Sequence, residues 1–478
     1  VGRKLIIGDE LMTSIKEIIK YNAKADDEAN ERNRKVKAFK VYNYVTKDSY
    51  QIKEHLIEKM AENGKVNAPR DWELTYINVI PKLLRLIGVL YSTNTNYVRI
   101  EVLNKNGDVD EEETEKYNAL IDKYHLNRRK KTINKWAVAF NTVPTIPVVR
   151  DGQLDIDIYS PHVCSVIQGA TNYLKMRAFT VQLAGDDGEV VNKVYTPEVI
   201  ALTDEKGNII EQIDNPYDTI PVVVARLEDQ GDFWGMGIED ACDLNTEVNV
   251  QMTSLSTHGL YQGGSILFGT DIEEDSIMYA GPNTALTASS GAGDTSPDLK
   301  YVTPDAKIQD LMGLIDFYIK QMYITHGISS TSYSTDNKEL SGIAKYIDNQ
   351  ELYDLREDYI DAFKEYESKL YYMIKKVYND AIEKNAIDGK PLNGDDVRIT
   401  FDVKDSSLNE KDDIEVLREK LSLGISNICD AVRAEQGNPS LTTDECIELM
   451  RTNKDTLAKV TQNIIDADVN DANNTPKE

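Results

Sequence analysis

Residues 237–259 read GIEDACDLNTEVNVQMTSLSTHG, and residues 304–326 read PDAKIQDLMGLIDFYIKQMYITH. Apolar residues recur at helical spacing in both: Ile238, Leu244, Val248, Met252 and Leu255 in the first, and Ile308, Leu311, Ile315, Ile319 and Met322 in the second. Each is a helix of roughly 30–35 Å at about 1.5 Å per residue. Residues 263–304 between them are dense in glycine, proline, serine and threonine, so two similar helices flank a compact β-rich excursion. GISSTSYSTDNKELSG (327–342) follows as a polar loop. From Ile343 to Ala386 there is then no glycine or proline. Leu355, Tyr359, Phe363, Tyr366, Leu370, Ile374 and Val377 keep a period near 3.6, which predicts one long helix.

Upstream, residues 9–63 read as helix. Pro81 opens an apolar helix carrying Leu83, Leu84, Leu86, Ile87 and Leu90. YVRIEVL (97–103) alternates as a strand, and NKNGDVDEEETEKY (104–117) turns into a helix ending near His125. From about 136 to 225 short alternating runs predict an antiparallel sheet, with turns at 185–188 and 205–208 and with Pro147 and Gly152 as punctuation. VRITFDV (397–403) is a strand, and helices at 410–423, 426–435 and 442–468 close the chain. The class is α+β.

The 478 residues suffice for a sizeable core. Lys+Arg 54 against Asp+Glu 81 gives −27, which argues against a protein that grips nucleic acid by charge. It leaves open one that handles DNA without gripping it. Cys164, Cys242, Cys429 and Cys446 form no C-x-x-C pair and read as buried free thiols rather than a zinc site. No apolar run is long enough to span a membrane, and the opening VGRKLIIGDELM lacks a signal-peptide pattern.

Chemistry is scarce. There is no P-loop, H-E-x-x-H, G-x-S-x-G or kinase set. Gly291-Ala292-Gly293 reads as loop, since no helix follows it. His55, His125, His162, His258 and His326 show no metal spacing. The acidic runs 110–113, 271–275 and 410–415 lack the Asp-x-Asp-x-Asp-Gly order and read as solvated faces. Tyr353, Tyr359, Tyr366, Tyr371, Tyr372 and Tyr378 read as packing residues half exposed at subunit contacts rather than as base-stacking platforms. No catalytic residue, metal or cofactor is expected.

Five stretches in order resemble the portal, or head-to-tail connector, family of tailed bacteriophages. They are NVIPKLLRLIGVLY (78–91); NPYDTIPVVVARLEDQGDFWGMGIEDACD (215–243); the helix–excursion–helix of 237–326; LSGIA (340–344), close to an S-G-x-A opening of the long helix; and ITF (399–401) followed by an acidic helix and LGIS (423–426). The segment DQGDFWGMG (229–237) departs from the family pattern and leaves the start of the stem unfixed by several residues.

The resemblance implies a portal fold: a mixed α/β wing (1–236), a stem of two helices (237–262 and 305–326), a β-rich clip (263–304), a tunnel loop (327–342), a wing-spanning helix with closing strand (343–404) and an α-helical crown with C-terminal tail (405–478). It implies a closed dodecameric ring, the channel for double-stranded DNA packaging and ejection. The expected place is the portal vertex of the virion, with assembly in the host cytoplasm. The expected partners are the chain itself, double-stranded DNA, terminase, a head-completion adaptor, and the major capsid and scaffolding proteins, with no membrane. Tunnel-loop residues facing DNA would be Ser330, Thr331, Ser332, Tyr333 and Lys338. Clip docking would use Asp271, Glu273, Glu274 and Asp275, and ring contacts Ile238, Val248, Met252, Ile315, Ile319 and Met322. The competing readings are another virion component, from capsid or baseplate, and a packaging enzyme.

Overall fold

The structure is a computed structural model. It describes residues 15–27, 29–62, 74–91, 98–169, 171–185, 188–262, 266–270, 298–302, 308–329, 350–401, 417–418, 421–422, 427–435 and 442–454. Described residues up to Ser329 and from Gln350 to Phe401 belong to one compact unit, and those from 417 onward to a second.

The expected helix over 9–63 is three helices: α1 (Ile15–Asp27), α2 (Ala29–Thr46) and α3 (Ser49–Glu62). The break is local chemistry. Lys47 turns left-handed at φ 63, and Asp48 Oδ1 then accepts from the backbone N–H of Tyr50 and Gln51, each at 3.1 Å, capping α3. Helix α4 (Ile80–Ile87) carries Pro81 in its first turn, where no intrahelical N–H is needed, and buries Ile80, Leu83, Leu84 and Ile87. Strand β1 (Val98–Leu103) leads to α5 (Glu111–Lys123), whose cap Asp110 accepts from Glu113 N at 3.1 Å.

Helix α6 (Leu126–Phe140) corrects the expectation that β structure begins at 136. The apolar cluster Trp136–Phe140 continues a helical period from Ile133, and Ile133, Ala137 and Phe140 are all buried. The expected single sheet is two. β2 (Thr142–Arg150), β3 (Gln153–Ile158) and β9 (Val223–Arg226) form one, in the order β3-β2-β9. β4 (Cys164–Gln168), β5 (Met176–Ala184), β6 (Val190–Tyr195), β7 (Val199–Asp204) and β8 (Ile209–Asp214) form an antiparallel meander in chain order. Pro147 lies inside β2 rather than ending it. β2 pairs with β9 over 142–145 and with β3 over 145–150, so Pro147 lies beyond the reach of β9 and the donor it lacks costs no ladder bond there.

Helix α2 docks on the turn before β4. Arg34 donates to the carbonyls of Pro161 (2.9 Å) and Cys164 (3.0 Å) and stacks over Trp234 at 4.4 Å. His162 packs against Phe39 and Tyr42, and its Nδ1 meets Ser160 Oγ at 2.8 Å. Burial, aided by Arg34 and Lys35, pushes its pKa down to about 4. The unfolded chain therefore binds the proton first, and stability falls as pH drops from about 6.5 towards 4. Discounted for partial exposure, the loss is on the order of 1–2 kcal/mol. Urea midpoints at pH 7 and pH 5 measure it, and His162→Gln is expected to flatten the difference.

Strand β12 (Asp396–Phe401) pairs antiparallel with β1, Val98 opposite Phe401. The centre of the unit is α9 (Gln350–Glu383), on which Leu352, Tyr359, Phe363, Tyr366, Leu370, Ile374 and Val377 are buried. Its tyrosines are core residues of the chain itself. Tyr359, Tyr366, Tyr371 and Tyr378 are buried and only Tyr372 is clearly exposed, which corrects their expected place at subunit contacts. In the second unit, α10 (Ile428–Glu435) and a helix over 443–454 bring the Cys446 thiol to 3.8 Å from the Cys429 carbonyl.

Candidate functional site

The long helices expected from the opening stretches are α7 (Glu239–Gln262) and α8 (Ile308–Thr325). Their order of burial shows how the pair is held. Ala241, Cys242, Val248 and Val250 near the start of α7 are buried, as are Met322, Tyr323 and Ile328 at the end of α8. His326 Nε2 lies 3.4 Å from Asp240 Oδ1, so the root of α7 meets the end of α8 and the helices run antiparallel. The His326 ring beside it holds the Asp240 carboxyl below its usual range. Between the helices, β10 (Ile266–Thr270) pairs antiparallel with β11 (Asp298–Val302), Ile266 opposite Val302. In chain order the strand pair β10–β11 thus falls between the two helices.

The root of α7 is fastened by polar chemistry that apolar periodicity does not register. Asn245 Oδ1 accepts from Val79 N at 3.0 Å, and its Nδ2 donates to Ile77 O at 2.8 Å. Asn249 Oδ1 accepts from Ile77 N at 2.8 Å. Thr253 Oγ1 accepts from Thr75 N at 3.2 Å and donates to Thr75 O at 3.0 Å. All three side chains are fully buried. Four helical residues rise about 6 Å and two extended residues about 6.6 Å, so an i, i+4, i+8 ladder can read every second residue of an extended segment. The segment 74–79 is thereby paired without a sheet.

The structure buries three of the expected ring residues within the chain and half-buries the other three. Ile238, Val248 and Met322 have 2%, 0% and 0% exposure in the single chain. A side chain enclosed by its own subunit has no surface left for a neighbour, so these three are corrected to core residues. Ile319 is half-buried against the same core, and Met252 and Ile315 are half-buried. The large apolar groups that α8 exposes are Met312 (57%), Phe317 (51%) and Ile324 (46%). Phe317 and Ile324, seven residues apart, share one face with Gly313, where an added Cβ would meet nothing within 4 Å. Sequence periodicity identified the inner stripe and missed the outer one, although Phe317 and Ile324 were visible as apolar residues off the stripe.

Ser330, Thr331, Ser332, Tyr333 and Lys338, expected on the tunnel loop, lie outside the described residues, as do Asp271, Glu273, Glu274 and Asp275, expected on the clip. Gly327, at φ 69, and buried Ile328 end the helix pair just before that loop. Among the described residues no group of three or more His, Cys, Asp or Glu is placed to hold a metal ion, and no helix is long and apolar enough to cross a membrane. A cleft of about 300 Å³ where the two sheets meet is lined by Ile146, Val148, Lys193, Tyr195, Glu211 and Tyr217.

No family model matches the sequence, and no curated protein does. Two solved structures align over much of the chain. One is from the virion of a native gene transfer agent particle, with 10% identity and a TM-score of 0.43, covering 76% of this chain and 90% of that one. The other is from the neck of an empty gene transfer agent particle, with 10% identity, a TM-score of 0.44 and the same coverage. Overlap at this level does not fix fold or function.

Proposed function

We propose that the chain is a portal-type subunit of a tailed-phage-like particle, a non-enzymatic component of a ring around an axial channel for double-stranded DNA. The observation that carries this reading is the antiparallel pair α7–α8, rooted in the core at one end, bearing the β10–β11 strand pair between its helices, and followed by the long core helix α9. In this reading α7 and α8 are the stem, residues 263–304 the clip, 327–342 the tunnel loop, and the described residues upstream the wing. Residues 405–478 are the crown and tail. The clip carboxylates Asp271, Glu273, Glu274 and Asp275 face a basic partner, terminase first and a head-completion adaptor later. The excess of acids suits a channel through which DNA must slide, because each neutralised phosphate adds affinity and so friction. Lys338 is the exception, touching phosphate from the tunnel loop.

A closed ring needs heterologous contacts that repeat around the axis. Two exposed apolar features meet that need. One is the outer face of α8, with Phe317 and Ile324 beside Gly313, a helical glycine that no described residue crowds. The other is β8, an edge strand all of whose residues are exposed, among them Ile209, Ile210 and Ile213. Burying one Phe contributes about 2 kcal/mol, and a ring repeats that at every interface. Phe317→Ser is therefore expected to shift the purified protein from ring mass to single subunits in sedimentation velocity. Its thermal unfolding should stay within about 1 °C, since an exposed side chain contributes little to the subunit fold. A capsid or baseplate component shares the α+β class but does not require a ring with an axial hole. Unchanged ring mass in the variant would remove α8 from the interface.

A further inference from the structure

The run Arg128-Arg129-Lys130-Lys131 on α6 has divided fates. Arg129 makes a two-pronged ion pair with Asp155 at 2.7 and 2.6 Å, and Lys130 is buried against Glu367 at 2.7 Å. Arg128 is exposed and Lys131 half-buried, and Lys135, also half-buried, follows one turn beyond Lys131. Helix α4 lies against this face. A Cβ added at Gly88 would come within 3.1 Å of Lys135 Cγ and 3.2 Å of its Cα, so α4 and α6 touch at backbone level there. That approach sets Arg85, with Lys82 three residues before it, beside Lys131 and Lys135. Lys47, at the left-handed end of α2, completes the group. Burial and then the charges of Lys131, Arg85 and Lys47 depress the Lys135 pKa, so those three cations lie within the field of Lys135.

A chain with 81 acids against 54 bases has carboxylates to spare, yet among the described residues none forms an ion pair with Lys47, Lys82, Arg85, Arg128, Lys131 or Lys135. Like charges left together in this way lower stability unless something beyond the described residues neutralises them. The kind of partner follows from what the patch lacks. No large hydrophobic residue of α4 or α6 is exposed, and Trp136 is turned into contacts with Tyr42 and Phe140. Protein interfaces are anchored by buried apolar side chains, whereas a nucleic-acid backbone is held by cations alone.

We propose that the α4–α6 surface, through Arg85, Lys131 and Lys135 with Lys47, Lys82 and Arg128 around them, binds the phosphate backbone of double-stranded nucleic acid. This site is separate from the α7–α8 pair. It qualifies the inference from net charge: the chain is acidic as a whole and basic at one place.

The test is fluorescence anisotropy of a labelled duplex about three helical turns long, titrated with protein between about 50 and 200 mM KCl. Binding is expected to weaken steeply with salt. In the triple variant Arg85→Gln, Lys131→Gln, Lys135→Gln, affinity should drop at least about tenfold, and the slope of log K against log salt should flatten by about 2 to 3, near 0.9 per lost phosphate contact. The melting temperature of that variant should not fall, because repulsion is relieved. The control Lys16→Gln, Lys20→Gln, Lys24→Gln removes the same charge from exposed positions of α1 and should bind as the parent does. No binding at the lowest salt would overturn the proposal, as would equal losses in both variants, which would mean net charge only. Unchanged duplex binding with altered sedimentation in the Arg85 variant would also overturn it and assign the patch to an acidic face of a second copy. Binding is read on single subunits and rings alike, so its failure is distinguishable from failure of the ring reading.

Discussion

Glu367→Ala is expected to destabilise the main unit by about 3–5 kcal/mol, although residue 367 touches no proposed interface. Its carboxylate is 0% exposed on α9. One oxygen accepts from Lys130 Nζ at 2.7 Å, the other from Tyr91 OH at 2.5 Å. Lys130 comes from α6, 1% exposed, with its ammonium 6.0 Å from the centre of the Tyr117 ring on α5. Tyr91 follows α4 and packs edge-on against Phe363 and Phe401. Burial, with the Glu367 charge beside it, drives the Tyr91 phenol well above its ordinary pKa, so it stays a donor. One carboxylate thus ties together chain from α4, α6 and α9 inside the apolar core. Alanine leaves a buried ammonium with no counter-charge and a buried phenol with no acceptor. Lys130→Met alone is expected to cost about as much, because it strands the carboxylate. The triple change Lys130→Met, Glu367→Leu, Tyr91→Phe removes every polar partner together and should recover most of the loss, since a buried ion pair often does no better than well-packed apolar residues. Urea unfolding followed by tryptophan fluorescence measures all three. A single-variant loss below about 1 kcal/mol would mean that water reaches the pair.

Asn245→Ala is expected to cost about 3 kcal/mol and to act locally. It orphans Val79 N and Ile77 O, two part-buried backbone groups that no described strand serves, at the lower end of about 1–3 kcal/mol each. The segment 74–79 is held to α7 by this ladder, so the amides of Thr75, Ile77 and Val79 should lose hydrogen-exchange protection while those of β5 and β6 keep theirs. Uniform loss across the unit would show that the ladder is part of the global core rather than a local fastening. Because α7 is the proposed stem, the same variant is expected to weaken ring assembly more than its stability loss alone would produce.

Where one face of an element carries the signal, the sequence was enough. The apolar periods of α4, α7, α8 and α9 and the alternation of β1 and β12 were all legible. Three things were not. The break after α2 rests on Lys47 adopting a left-handed conformation that any chain finds uncommon, so no glycine marks it. The last turn of α6 runs into β2 through continuous apolar sequence, and only tertiary packing of Ile133, Ala137 and Phe140 separates helix from strand. The pairing of Lys130 with Glu367 joins residues 237 apart, beyond any local pattern. For the candidate site, periodicity placed both helices correctly and then assigned their apolar stripe to neighbours. Ile238, Val248 and Met322 show why that step fails: a helix packs its most regular face against its own chain first, and what remains for a partner is the less regular remainder, here Met312, Phe317 and Ile324.

The ring is tested most directly by negative-stain electron microscopy of the purified protein with rotational class averages. Closed rings with a central hole of about 20 Å or more, wide enough for a duplex, are expected of a portal-type subunit, and their loss in Phe317→Ser would place α8 at the interface. Compact oligomers without an axial hole would contradict the portal reading and favour another virion component.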